Sequence, residues 1–153
     1  MAQVKWINRS NIDKIEKELE YLRNHHVIVG FVGDKADKKV DGVEIWLYAI
    51  KNEYGGGGSP SRPFFRTAIN SNRKIIKEEM NNFLLKVGTG KMTGEQALKG
   101  IGLIVQGMIQ DSIKNGGWES HAPSTVKAKK GKGQPLIETG SMLRAVSFEI
   151  RRK

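Results

Sequence analysis

The chain has 153 residues, and its 26 Lys and Arg against 16 Asp and Glu give a formal net charge of +10. The length suits one domain, and an apolar content of 38% is enough to form a core. Because the sequence has no cysteine, disulfides, thiolate metal sites and cysteine nucleophiles are excluded, and no apolar run approaches the roughly 20 residues of a transmembrane helix.

Apolar spacing in the first third of the chain predicts a helix, a strand and a second helix. Steps of three and four residues place the first helix over 10–24, with Ser10 as its N-cap. Apolar residues on both faces of 27–34 predict a central strand that is covered on both sides. A polar loop, 33–42, leads to a short helix over 43–53. The side chains expected on the buried side of that helix are Val43, Trp46, Leu47 and Ile50.

Two long helices are predicted for the middle of the chain. The first covers 63–87 and has an apolar stripe made of Phe65, Ile69, Ile76, Met80, Phe83 and Val87. Residues 93–96 match a capping box, which begins the second helix, over 94–115. Gly100 and Gly107 share one stripe of that helix, and each glycine inside a helix costs about 1 kcal/mol. We therefore predict that both glycines allow close packing against another helix.

The last part of the chain begins with a polar, basic connection over 119–134. A helical turn capped by Thr139 follows, and then a strand over 145–152 with Val146, Phe148 and Ile150 facing inward. The whole chain, 1–153, is therefore predicted to be one α+β domain. In it, a small antiparallel or mixed sheet packs against the two long helices, and the long polar loops are 33–42, 55–61 and 119–134.

Motifs that carry catalysis or bind cofactors are incomplete in this sequence. The segment GTGKMT, 88–93, is similar to the end of a phosphate-binding P-loop. However, Leu85 stands where that motif requires its first glycine, and Met92 stands where it requires Ser or Thr. No Ser/His/Asp arrangement or metal-ligand spacing stands out. The sequence therefore predicts no enzyme activity, no catalytic or metal-binding residues and no cofactor.

Three segments, taken in order, carry a more specific pattern. They are Glu-Tyr-Gly with a Pro-x-Arg-Pro-Phe helix start, Pro-Ser-Thr-Val-Lys, and Pro-Leu-Ile-x-Thr-Gly-x-x-Leu before a closing strand. The matching residues are Glu53, Tyr54, Gly55, Pro60, Arg62, Pro63, Phe64, Pro123, Ser124, Thr125, Val126, Lys127, Pro135, Leu136, Ile137, Thr139, Gly140 and Leu143. Their order resembles that of the tail-completion or head–tail joining (virion morphogenesis) proteins of tailed bacteriophages. The four-glycine turn after Tyr54 is longer and plainer than that pattern.

The resemblance implies a non-enzymatic structural protein of the virion neck or tail end. Such a protein assembles as a homo-oligomeric ring around the DNA channel and contacts the portal-side connector and tail-tube proteins. It implies a location in the virion, and in the host cytoplasm during assembly, with no membrane partner. Within the same class the alternatives are a tail terminator or another minor tail protein. The net charge motivates an alternative of another class, a basic nucleic-acid-binding protein.

Candidate interaction residues lie in the loops 55–61 and 119–134 and at the helix start between them. The two loops lack an apolar stripe, so we expect that they do not order themselves without a partner. Phe64 either faces a partner or caps the core, since Phe65 takes the core position of the predicted stripe. The candidate residues are Tyr54, Gly55, Arg62, Phe64, Arg66, Lys127, Lys129, Lys130 and Lys132.

We predict that changing all four lysines of the second loop to Glu leaves the domain folded but blocks incorporation into particles. Four cations within six residues repel one another unless an acidic protein face or the channel DNA lies opposite. Circular dichroism tests folding, and a complementation assay tests incorporation. Normal infectious particles would eliminate this loop as a contact, and unfolding would show that the lysines pair within the domain.

Overall fold

The computed structural model describes residues 9–119, 136 and 140–153. Its elements, in chain order, are α1 (Arg9–Asn24), β1 (His25–Phe31), β2 (Lys39–Val40), β3 (Val43–Glu44), α2 (Ile45–Tyr54), α3 (Phe64–Gly88), α4 (Gly94–Asn115), α5 (Ser141–Ala145) and β4 (Val146–Arg152). A two-stranded antiparallel sheet packs against the long helices, which confirms the predicted α+β class. The bounds of α1, α3, α4 and β4 agree with the predicted ones to within two residues.

The helices α3 and α4 form an antiparallel pair. The capping box at the start of α4 is present as predicted: Gln96 N donates to Thr93 Oγ1 at 3.1 Å, and Thr93 N donates to Gln96 Oε1 at 3.0 Å. At the far end of the pair, Ser112 Oγ donates to Phe64 O at 2.8 Å. The prediction for Gly100 is confirmed, because a Cβ there would lie 2.8 Å from Phe83 Cζ.

The strands β1 and β4 cover α4 with one apolar face. Opposite residues on that face are Val27 with Ile150, Val29 with Phe148, and Phe31 with Val146. The inward alternation predicted for β4 matches this register. Among the described residues β1 pairs only with β4, so the prediction of a central strand is wrong. The apolar residues of β1 are explained by its packing against helices. They do not indicate a hydrogen-bonded strand on each side of it.

Gly102 of α4 packs closely against the sheet. A Cβ at this position would lie 2.5 Å from Phe148 Cδ2. Gly107, by contrast, has no atom within 4 Å of the position that its Cβ would take, so the predicted close packing there is wrong. A second close-packed glycine of α4, besides Gly100, therefore lies on the face toward the sheet, and the helical pattern alone does not identify it.

The short helix α2 buries a different face from the predicted one. Its buried side chains are Ile45, Ala49, Asn52 and Glu53, whereas Trp46 is 38% exposed and Ile50 47% exposed. Six consecutive residues at the start of α2 are apolar, so hydrophobicity alone does not fix its rotation. The polar residues Asn52 and Glu53 fix it instead, through contacts with the start of α3 that are described below.

Three smaller expectations also change. Met80 is 53% exposed, although the rest of its predicted stripe packs on the core. The loop 33–42 contains β2, which pairs with β3 in a short hairpin. The N-cap of α5 is Gly140 in a left-handed conformation with φ 63°, and Thr139 lies outside the described residues.

Replacing Gly102 with Ala should destabilise the fold by about 1–2 kcal/mol. Overpacking against Phe148 costs about 1–3 kcal/mol, and the higher helix propensity of Ala returns at most about 1 kcal/mol. Gly107→Ala is the matched control. Since its Cβ enters open space, the same propensity gain should raise stability by up to about 1 kcal/mol. Urea unfolding of both variants measures the difference, and equal changes would contradict the packing described here.

Candidate functional site

A buried carboxylate joins the end of α2 to the start of α3. Glu53 is 6% exposed, and its Oε2 accepts a hydrogen bond from Phe65 N at 2.9 Å. Its Oε1 accepts from Arg66 N at 3.1 Å and from Arg66 Nε at 2.8 Å. The first N–H groups of a helix have no partner within the helix, and the N-cap residue Pro63 offers no side-chain hydrogen bond. Glu53 therefore caps α3 from a neighbouring helix. Its negative charge also interacts favourably with the positive, N-terminal end of the α3 dipole.

Arg62 forms the second half of this connection. Its backbone N donates to Asn52 O at 2.6 Å, and its Nη1 donates to Asn52 Oδ1 at 3.0 Å. Its Nε donates to Glu119 O, beyond the end of α4, at 2.8 Å. The side chain is 2% exposed, so these bonds replace the water that a guanidinium loses on burial. Together, Asn52, Glu53, Arg62 and Arg66 form a polar cluster that we call the clasp.

The loop 55–61 is closed by the same contacts. Ser61 Oγ donates to Glu53 O at 2.9 Å, and Gly56 and Ser59 exchange backbone hydrogen bonds at 3.0 and 3.1 Å. Gly55 has φ 74°, and a Cβ there would lie 2.8 Å from Ser61 N, so only glycine fits. The expectation that this loop cannot order itself is wrong, because it uses backbone hydrogen bonds in place of apolar burial.

An apolar groove of about 380 Å³ lies between α2 and the start of α3. Its rim includes Trp46, Ile50 and Tyr54, and Tyr54 is 65% exposed. The guanidinium of Arg66 lies 4.8 Å from the centre of the Tyr54 ring, so one cation joins the clasp to the groove. Exposed apolar concavities of this kind mark binding sites in polar proteins.

The sequence candidates separate into three groups. Tyr54 and Arg66 lie on the groove, and Gly55 begins the adjoining loop. Arg62 and Phe64 are buried within the domain, with Phe64 only 1% exposed, so of the two roles left open for Phe64 the structure shows the core one. The ring of Phe64 packs edge-on against that of Phe31 at 6.1 Å, which is a core contact. The remaining candidates lie outside the described residues: Lys127, Lys129, Lys130 and Lys132.

Sequence reasoning missed Trp46 and Ile50 as surface residues, because it assigned both to the core. The available signal was the pair Asn52 and Glu53, which lie seven and eight residues after Ile45 and so share its side of the helix. A polar pair that is buried on that side implies that hydrogen-bonding partners lie there. Trp46 and Ile50 are then left on the other side of the helix.

The carboxylate that lines the groove is engaged within the fold. Both oxygens of this carboxylate, which belongs to Glu53, are occupied by hydrogen bonds from α3. In the part of the chain that the structure describes, no group of three or more His, Cys, Asp or Glu could hold a metal ion. No helix of that part is long and apolar enough to cross a membrane.

Comparisons with protein-family models, with curated proteins and with solved structures find no match for this chain.

Glu53→Gln should lower the free energy of unfolding by about 1–3 kcal/mol, because it removes the charge of a buried carboxylate that accepts from two backbone N–H groups and from the half-exposed Arg66 side chain. The side-chain amide also turns a donor toward the N–H groups of α3. Glu95→Gln is the control, since Glu95 lies near the N-terminus of a helix, α4, and also forms an ion pair, with Lys99, but is exposed. Its effect should be much smaller. Equal changes in urea unfolding would mean that the clasp does not stabilise the fold.

Proposed function

We propose that this chain is a non-enzymatic structural protein of a tailed phage, acting in tail completion or head–tail joining. The observation that carries the proposal is the clasp. Glu53, Gly55, Arg62 and Phe64 all match the family pattern. Glu53 and Arg62 belong to the clasp, which Arg66 completes at the start of the same helix. The motif thus fixes the position of α3 against α2 and so the shape of the surface between them. A protein that acts through its shape requires such a fixed surface.

The surface that the clasp sets is the apolar groove. Backbone and carboxylate contacts hold the first turn of α3 against the end of α2, so the two walls of the groove keep a fixed spacing. A preformed concave site binds without first being ordered, which reduces the entropic cost of assembly. We assign it to a contact with a neighbouring subunit of the same ring.

A concave groove does not complement itself, so a second copy must insert a different surface into it. Such head-to-tail contacts are heterologous, and they generate closed rings when the rotation between subunits closes. The proposed partners are therefore further copies of this chain, with the portal-side connector and tail-tube proteins above and below the ring. The proposed location is the virion neck or tail end, and a tail terminator is the alternative within this class.

Two measurements test the proposal in the phage or induced prophage that encodes the chain. Mass spectrometry of purified particles should detect the protein, and its absence would contradict the proposed function. Ile50→Glu places a charge in the groove and should reduce incorporation at least tenfold, about the effect of 1.4 kcal/mol on an equilibrium.

Leu85→Glu is the control for the groove variant. Leu85 is also an exposed apolar residue, 67% exposed, but it does not line the groove. We expect its incorporation to stay near the wild-type level. If both variants are incorporated equally well, the groove is not the contact between subunits.

A further inference from the structure

The outer face of the first half of α3 is polar and positively charged. Between Phe64 and Lys77 the helix carries four cations and no carboxylate. At 100° per residue, seven exposed polar residues fall on the side opposite the core, and the exposed Ile75 lies at one edge of them. We call this set the basic face: Arg66, Thr67, Asn70, Ser71, Arg73, Lys74 and Lys77.

Few carboxylates compensate this charge. Arg66 pairs with Glu53 in the clasp at 2.8 Å, and Lys74 lies 3.9 Å from Glu78 with 90% of its side chain exposed. Arg73 donates to the neutral amide of Asn70 at 3.1 Å. No described carboxylate lies within ion-pair distance of Arg73 or Lys77, and like charges four residues apart destabilise a helix.

On the other long helices, α1 and α4, exposed positive and negative side chains lie close together. Glu95 and Lys99 of α4 pair at 2.6 Å, and this contact lowers the pKa of the Glu95 carboxyl. The exposed residues of α1 alternate in sign along the helix. The clustering of positive side chains is thus a local feature of α3 and not a consequence of the overall charge of the protein.

We propose that the basic face binds the phosphate backbone of double-stranded DNA without reading its sequence. The cations are interleaved with Thr, Ser and Asn, which are the side chains that donate to phosphate oxygens alongside Lys and Arg. Its seven residues are all polar, and the exposed Ile75 lies only at its edge, whereas the centre of a protein interface is apolar and depleted in Lys. It extends about 16 Å from Arg66 to Lys77, which matches about five base pairs of backbone.

The basic face ends at Lys77, because exposed acidic and apolar residues follow it. After Lys77 the outer side of α3 carries Glu78 and then Leu84 and Leu85, which are 51% and 67% exposed. A carboxylate and two apolar residues do not suit phosphate, so the contact is confined to the first half of the helix. This inference stands on the charge distribution and does not depend on the proposed function.

The test is fluorescence anisotropy with a labelled duplex of about 30 base pairs, measured over a series of salt concentrations with the full chain. Removing one cation that binds a phosphate lowers the slope of log affinity against log salt by about one. Arg73→Glu/Lys77→Glu should therefore lower the slope by about two and weaken binding at least tenfold. Circular dichroism confirms that the variant is folded.

The matched control is Lys17→Glu/Lys114→Glu, which makes the same change in net charge at exposed sites on α1 and α4. It should change the slope by clearly less than one. Equal weakening of binding in both variants would show that the overall charge binds DNA, and this would overturn the inference. Full DNA binding by the α3 variant would also overturn it, and failure of that variant to enter particles would then assign the face to an acidic protein. Absence of the chain from particles would contradict only the proposed function.

Discussion

A single buried carboxylate sets the geometry on which the surface of this protein depends. Glu53 lies at the end of α2, yet it accepts from the first N–H groups of α3 and from the Arg66 side chain. A buried carboxylate loses several kcal/mol of hydration, and the fold recovers this only if each oxygen finds donors in good geometry. The need to satisfy both oxygens fixes the angle between the two helices more tightly than apolar packing would.

The consequences extend from this contact in both directions along the chain. Because Asn52 and Glu53 must face α3, the rest of α2 is rotated so that Trp46 and Ile50 point outward and form the groove. Because Arg62 must reach Asn52 and Glu119, the loop 55–61 closes tightly and brings the end of α4 close to it. A polar cluster thus decides which apolar residues are left exposed.

The helix α3 serves three purposes on three sides. One side packs on the core through residues such as Ile69 and Ile76. Its first turn forms a wall of the groove, and its outer side carries the basic face. A helix of 25 residues has room for these separate uses, and each side follows its own chemistry: apolar burial, fixed shape and positive charge.

Local and repeated signals in the sequence were enough to define the long elements. The bounds of α3 and α4, the capping box at Thr93 and the inward face of β4 follow from periodicity over many residues or from hydrogen bonds between near neighbours. The motif around Glu53 could be located from the sequence, but its role could not. Contacts between distant segments decided which face α2 buries, that Phe64 lies deeper than Phe65, and that Gly102 and not Gly107 is the glycine packed on the sheet. In each case the deciding partner lies in another element, so a short pattern that is apolar all round, or a lone glycine, cannot indicate its own orientation.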